Sequence, residues 1–182
     1  MDSALEELLL VMPPLEDTRG TNIDWKQLEE RVRLPYPTHF KEFVAAYGNA
    51  VWCGSWHLFY NSRGELEQFM ETMEEVVSSE KEKELYKWGG ARLPMPAMYP
   101  EKGGLLPFLI DFDNHCLYSW RTKHINPDHW PVVCHVNDQV AELRGITIAG
   151  MFLEWLHRTD RMRRIWGDVR DVEEEELRLH PR

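Results

Sequence analysis

Asp111, Asp113 and His115 recur at every second position of LIDFDNHCLYSW, residues 109–120, with Asn114 and Cys116 beside them. Alternate residues of a strand share a face, so two carboxylates and an imidazole in this pattern would make a metal site or a general acid/base pair. The pattern survives only if the chain stays extended. Apolar alternation runs up to Asp113-Asn114 and resumes after His115, and Asp and Asn tolerate the positive φ of tight turns, so the stretch reads as a hairpin. With Asp113-Asn114 in the loop, Phe112 faces His115; with Asn114-His115 there, Asp113 faces Cys116. Either register predicts Phe108, Ile110, Phe112, Leu117 and Ser119 on one face, and Leu109, Asp111, Cys116, Tyr118 and Trp120 on the other. His115 then separates from Asp111. A lone Asp beside a turn more often bonds nearby backbone amides than it performs acid/base work.

Other chemistries lack their spacing. His115-Cys116 and Cys134-His135 are adjacent pairs on predicted strands, where neighbours point to opposite faces, and neither C-x-x-C nor H-E-x-x-H occurs. There is no G-x-G-x-x-G, Walker loop or G-x-S-x-G elbow, and the WGG and KGG glycine pairs are not phosphate cradles. The sequence predicts no catalytic residue, no metal and no cofactor. His39 and His157, on predicted helices, read as surface or boundary residues.

Composition narrows the partners. The 182 residues carry 31 Asp and Glu against 21 Lys and Arg, a formal charge of -10, which repels a phosphate backbone and disfavours direct nucleic-acid binding. The same charge suits a basic protein partner, since complementary fields speed encounter and reject wrong partners. No apolar run approaches the roughly eighteen residues that span a bilayer, and the acids in MDSALEELLLVMPP speak against a secretory leader, so a cytoplasmic protein is expected. The three cysteines, Cys53, Cys116 and Cys134, are odd in number and widely spaced, and read as reduced, buried thiols.

Periodicity supplies the elements that would position these residues. DSALEELLL predicts a short helix ended by Pro13-Pro14, and Asn22 or Asp24 can cap a second that ends near Leu34-Pro35. Phe40, Phe43, Val44 and Tyr47 form the stripe of a third helix, with Pro37 in its first turn and Gly48 as its stop. VWCGSWHLFY alternates, which predicts one strand with Trp52, Gly54, Trp56, Leu58 and Tyr60 on one side. From Glu65 a helical stripe of Leu66, Phe69, Met70, Met73, Val76 and Val77 predicts a long helix packed on the core. Residues 88–104 hold four glycines and three prolines, which predicts a long irregular connection and a place to look for a binding surface. Strands are expected at LLPFLIDF, HCLYSWR and PVVCHVN, with a fourth at QVAEL, and Thr147 can cap a closing helix bearing Ile148, Phe152, Trp155 and Leu156. One domain is expected over residues 1–166, followed by a charged tail or frayed helix over 167–182. Of the eight tryptophans, Trp25, Trp120, Trp130 and Trp155 sit in apolar patterns, whereas Trp52, Trp56 and Trp88 flank the first strand and the loop, where core packing and partner contact compete.

Several short motifs, in order, resemble the SUKH superfamily, which includes bacterial toxin-immunity proteins and yeast regulators of cell-wall synthesis. They are Leu34-Pro35 followed by Phe43 and Tyr47-Gly48-Asn49; Tyr99-Pro100-Glu101 with Gly103-Gly104-Leu105-Leu106-Pro107-Phe108; Asp111, Asn114, Leu117 and Trp120; and Trp130-Pro131-Val132-Val133. The similarity runs over about residues 22–160, with Leu109, Asn114-His115 and Ala50 standing where the family pattern has glycine-containing turns. The resemblance implies an α+β fold with N-terminal helices, a mainly antiparallel sheet of about 4–6 strands, a long helix inserted between strands and a C-terminal helix. It also implies a binding protein, commonly an immunity protein that neutralises a cognate toxin, often a nuclease, by direct complex formation. Combined with the acidic charge, this points to a basic toxin domain as partner and to Trp52, Trp56, Trp88, Glu101, Asp111 and Asp113 as candidate contacts. The alternatives are a regulatory scaffold that uses the charged tail, and a metal-dependent hydrolase built on Asp111, Asp113 and a histidine.

Overall fold

A computed structural model describes residues 2–14, 23–48, 50–52, 56–58, 86–88, 91–93, 97–111, 116–136, 139–166 and 180–181. The helices begin where side-chain oxygens satisfy their open amides. Asp2 accepts from the Ala4 amide at 3.1 Å to start α1 (Ser3–Val11), and Asp24 accepts from Gln27 at 3.0 Å to start α2 (Trp25–Val32). Pro37 precedes α3 (Thr38–Tyr47), which stops at Gly48, where φ is +57° and a side chain would be strained. Thr147 accepts from Gly150 at 3.1 Å to open α4 (Ile148–Leu156), and α5 (Asp160–Trp166) follows. The caps at Asp24 and Thr147 are those predicted. The long helix expected from Glu65 lies outside the described residues.

The described strands form one sheet. They are β1 (Ala50–Trp52), β2 (Trp56–Leu58), β3 (Tyr86–Trp88), β4 (Ala91–Leu93), β5 (Leu105–Asp111), β6 (Cys116–Arg121), β7 (Val132–Val136), β8 (Gln139–Leu143) and β9 (His180–Pro181), in the order β4-β3-β8-β7-β6-β5-β2-β1-β9. Pairing is antiparallel throughout except between β3 and β8. The architecture is therefore α+β, but nine strands replace the four to six expected. Two differences account for most of the excess. The stretch read as one strand over 51–60 reverses on itself, pairing Val51 with His57 and Trp52 with Trp56. Residues 88–93, expected within the irregular loop, and Tyr86 and Lys87 just before it contribute the β3/β4 pair at the sheet's end. In the segment expected to be a tail, His180–Pro181 pair with Ala50 and Val51.

The β5/β6 register follows the first of the two hairpins considered: Asp111 faces Cys116, Ile110 faces Leu117 and Leu109 faces Tyr118. Between Pro107 and Leu109 the register shifts, and this bulge changes the sidedness of everything before it. Phe108, predicted to share a face with Ile110, instead lies on the Trp120 side, with its ring stacked on the indole at 4.2 Å. Leu106, Phe108, Leu109, Tyr118, Trp120, Val132 and Cys134 thus join the helices in one core, while Leu105, Val133 and Val140 with Met98 form a second cluster on the opposite face.

Aromatic contacts seat the helices on this sheet. Phe40 of α3 meets Trp120 edge-on at 4.7 Å and also touches Trp25, Tyr36 and Phe108. Phe43 and Tyr47 of the same helix meet Trp52 at 5.1 and 4.6 Å, and Phe152 of α4 stacks on Trp52 at 4.3 Å. The Tyr47 hydroxyl donates to the Met12 carbonyl at 2.9 Å, which fixes the end of α1 to α3. Burial drives the Tyr36 and Tyr47 hydroxyls well above their ordinary pKa.

Because Phe108 is fully buried among these rings, Phe108→Ala should cost about 3–5 kcal/mol, through lost transfer energy and the cavity left behind. Ile110→Ala, one strand position past the bulge and only partly buried, should cost much less. Denaturant midpoints of the two variants that came out equal would refute the sidedness imposed by the bulge.

Candidate partner-binding surfaces

Half of the six residues predicted to meet a partner are enclosed by the chain itself. Trp52, Trp56 and Asp111 are 0%, 3% and 0% exposed, so contact with a partner through these side chains is corrected to core packing. The physical reason is the β1/β2 reversal: the directly opposed tryptophans share one face of the sheet, and α4 covers it with Phe152 and Trp155. Asp111 sits at the end of β5 between Trp56 of β2 and Cys116 of β6. Trp88 lies on β3 opposite Ala91 and beside Val140. Glu101 is exposed, in a turn closed by the Gly104 amide donating to its carbonyl at 2.9 Å, and Asp113 lies outside the described residues.

The thiols are buried as expected at Cys116 and Cys134, and Cys53 lies outside the described residues. Burial, with the charge of Asp111 adding to it, pushes the Cys116 thiol up to about 12, and burial raises Cys134 further. Both are protonated, and so poor nucleophiles, at neutral pH. His39, read as a surface or boundary residue, is instead buried at the start of α3; burial lowers its pKa against the opposing pull of Asp128, Asp2 and Glu42. Among the described residues, no group of three or more His, Cys, Asp or Glu side chains is placed to hold a metal ion.

Two exposed surfaces carry what the buried candidates do not. The first is the outer side of α1. Leu5, Leu8 and Met12 turn into the core, which leaves Glu6, Glu7, Leu10 and Val11 outside, with Leu10 85% and Val11 56% exposed. Spacings of three and four residues bring Glu7 beside both Leu10 and Val11, and Glu6 beside Leu10, so two carboxylates adjoin an apolar pair on its N-terminal side. The legible signal was the uninterrupted Leu8-Leu9-Leu10-Val11 run, since a helix packed on one side buries only a stripe and four consecutive apolar residues exceed it.

The second is a rim at one end of the sheet, where β5 begins, β6 ends, β7 begins and β8 ends. Its main element is the connection over residues 122–131, fixed by its own polar groups. The Trp130 indole N–H donates to the His124 carbonyl at 2.6 Å, the Asn126 amide donates to His124 Nδ1 at 3.0 Å, and the Asp128 amide donates to Asn126 Oδ1 at 3.1 Å. Thr122 ties this loop to the 97–104 turn by donating from its amide and hydroxyl to the Gly104 carbonyl at 3.0 and 2.9 Å. Gly104 must lack a side chain, because a Cβ there would lie 2.6 Å from the Met98 carbonyl carbon. Asp128 also accepts from the Thr38 amide, so the rim caps α3. At the tip Ile125 is 95% exposed. Behind the loop Glu142 accepts from Arg121 at 2.8 Å and from Arg144 at 2.7 Å. Burial alone would raise the pKa of this carboxyl, but the two guanidinium groups outweigh it and hold the group below the usual range.

Matched against family models, curated proteins and solved structures, the chain gives no match in any of the three. Among the described residues no helix is long and apolar enough to cross a membrane.

Two outcomes test the rim. Trp130→Phe keeps an aromatic ring of smaller size but removes the bond to the His124 carbonyl, which alone costs about 1 kcal/mol, and should speed amide exchange over residues 123–129 while leaving β6 protected. Unchanged exchange would mean the indole does not hold the loop. Because the Glu142 pKa is depressed in the fold, its stabilisation is present above the unfolded value of about 4.3 and lost as pH falls through the folded value. The urea-midpoint gap between wild type and Glu142→Gln should therefore narrow below about pH 4; a constant gap would refute the assignment.

Proposed function

We propose that this chain is a non-enzymatic binding protein of the bacterial immunity type, which neutralises a basic toxin domain by direct complex formation in the cytoplasm. The observation that carries this reading is the outer side of α1, where exposed Leu10 and Val11 lie one turn beyond the exposed Glu6 and Glu7 on a chain of charge -10. An apolar anchor within an acidic field is what a basic, substrate-binding groove can dock onto: the carboxylates steer encounter and the aliphatic side chains lose water on contact. A toxin that handles nucleic acid presents such a groove, so an acidic inhibitor occupies the field meant for phosphate.

The resemblance to the SUKH superfamily supports the same reading. Residues that carry it serve the fold: Gly48 ends α3, Gly104 lets the turn close against Met98, and Trp120 and Trp130 anchor the sheet and the rim. Partner choice would then rest on exposed side chains outside those motifs, as the α1 residues are. A complex of this kind would bury about 1,600 Å² in total.

The test is co-expression with the toxin gene expected beside this one. Wild-type chain should protect the host and co-purify with the toxin, and Leu10→Asp should weaken the complex by at least about 2 kcal/mol while the thermal transition stays in place. Glu6→Lys with Glu7→Lys should slow association and flatten its salt dependence. Absence of both complex and protection would defeat the immunity reading; a complex indifferent to all three substitutions would place the interface elsewhere than α1.

A further inference from the structure

We propose that the cleft between the 122–131 loop and the end of β8 is a binding site for the phosphate group of a small phosphate monoester. The cleft is open to solvent, has a volume of about 290 Å³ and is lined by Lys123, His124, His129, Pro131, Glu142, Arg144 and Gly145. Its volume is close to the lower end of small-ligand sites, about 300–1,000 Å³. This inference goes beyond partner binding through α1 and stands or falls separately from it.

Charge is the first argument. On a chain of -10, Lys123 and Arg144 line one cleft, and the carboxylate that lines it too, Glu142, is already engaged at both oxygens by Arg144 and Arg121. Two guanidinium groups therefore bond one carboxylate while Lys123 lines the same cleft, so positive charge exceeds negative there and the local field favours an anion. Arg144 uses only Nε on Glu142; among the described residues no partner holds its two terminal nitrogens, and its side chain is 85% exposed. Glu142 thus orients a guanidinium whose outer edge is the paired-donor fork that matches a phosphate.

Donor placement is the second. His124 Nδ1 lies 3.0 Å from the Asn126 amide and 3.2 Å from the Asn126 carbonyl, so the ring is held by that edge and Nε2 is the nitrogen left to meet a ligand. The His129 ring lies 4.8 Å from it, centroid to centroid, so a second imidazole adjoins the same space. Phosphate offers three acceptor oxygens and close to two negative charges, which suits several converging donors better than the single charge of a carboxylate does. Preorganisation is the third argument. The Trp130 indole bond to the His124 carbonyl and the Asn126 turn fix the loop before any ligand arrives, which lowers the ordering cost of binding.

The test uses the full chain with its histidine ring signals followed by NMR, titrated with inorganic phosphate at constant ionic strength, and separately with acetate and with chloride. Phosphate should move the His124 and His129 signals saturably and leave those of His157, exposed at the end of α4, in place. Lys123→Gln, which disturbs no ion pair among the described residues, and Arg144→Gln should each weaken the apparent affinity by roughly tenfold. The Arg144 result counts if the variant melts like wild type, and the Lys123 result stands alone otherwise. A linear drift shared by all histidines and matched by chloride, saturation unchanged in Lys123→Gln, or tighter binding of acetate than phosphate would overturn the proposal.

Discussion

The contact between Phe40, Phe108 and Trp120 is the constraint on which the rest of the molecule depends. Phe40 carries α3 onto the sheet, Trp120 is the surface it lands on, and Phe108 reaches that surface only because β5 gains a residue between Pro107 and Leu109. Without the bulge, Phe108 would face the other side and leave a phenyl-sized hollow beside Trp120 beneath α3. With it, two successive residues, Phe108 and Leu109, enter the same core. A bulge disrupts one ladder pair, while each buried aromatic removes 150–250 Å² from water, so the exchange favours the fold.

That seating also determines where polar groups end. Once α3 is held by Phe40 and Phe43, its first turn lies over the 122–131 loop, and Asp128 reaches the Thr38 amide. The loop is therefore tied on one side to a helix start and on the other, through Thr122, to the Gly104 turn. Polar groups that a mobile loop would leave to water are spent here on holding its shape. Among the described residues, the helical face of the sheet is closed by rings and aliphatics, whereas the rim and the outward sides of the helices keep their charges.

The two candidate surfaces differ in the physics they offer. The outer side of α1 presents apolar area within negative charge and suits a large basic partner, where area and long-range field act together. The rim cleft presents positive charge and two imidazole rings in an open cleft and suits a small anion. Such opposite fields on one chain can coexist because salt screens interactions beyond about 8–10 Å. The six contact residues first expected include three that the core claims, which shows how readily aromatic residues serve either role until their neighbours are known.

What the sequence determined by itself is local. Asp24, Thr147 and Gly48 mark helix ends because capping and positive φ depend on a few adjacent atoms, and the alternation of β6 and β7 marks strands because side-chain direction repeats every two residues. The same logic predicts that the chain reverses beyond Asp111, and β5 and β6 pair Asp111 with Cys116. Tertiary structure decided everything that depends on a distant partner. Alternation over 51–60 reads the same whether the strand continues or folds back with Trp52 against Trp56, because opposed residues share a face as alternate residues do. The bulge at Phe108 follows from what α3 brings to the sheet, and nothing adjacent to Phe108 encodes it. The rim cleft joins residues from two connections about twenty positions apart, and Leu10 is exposed only because Leu5 and Leu8 were chosen by the surface of α4. Burial is a property of the pair of surfaces in contact, and one sequence segment carries only half of that pair.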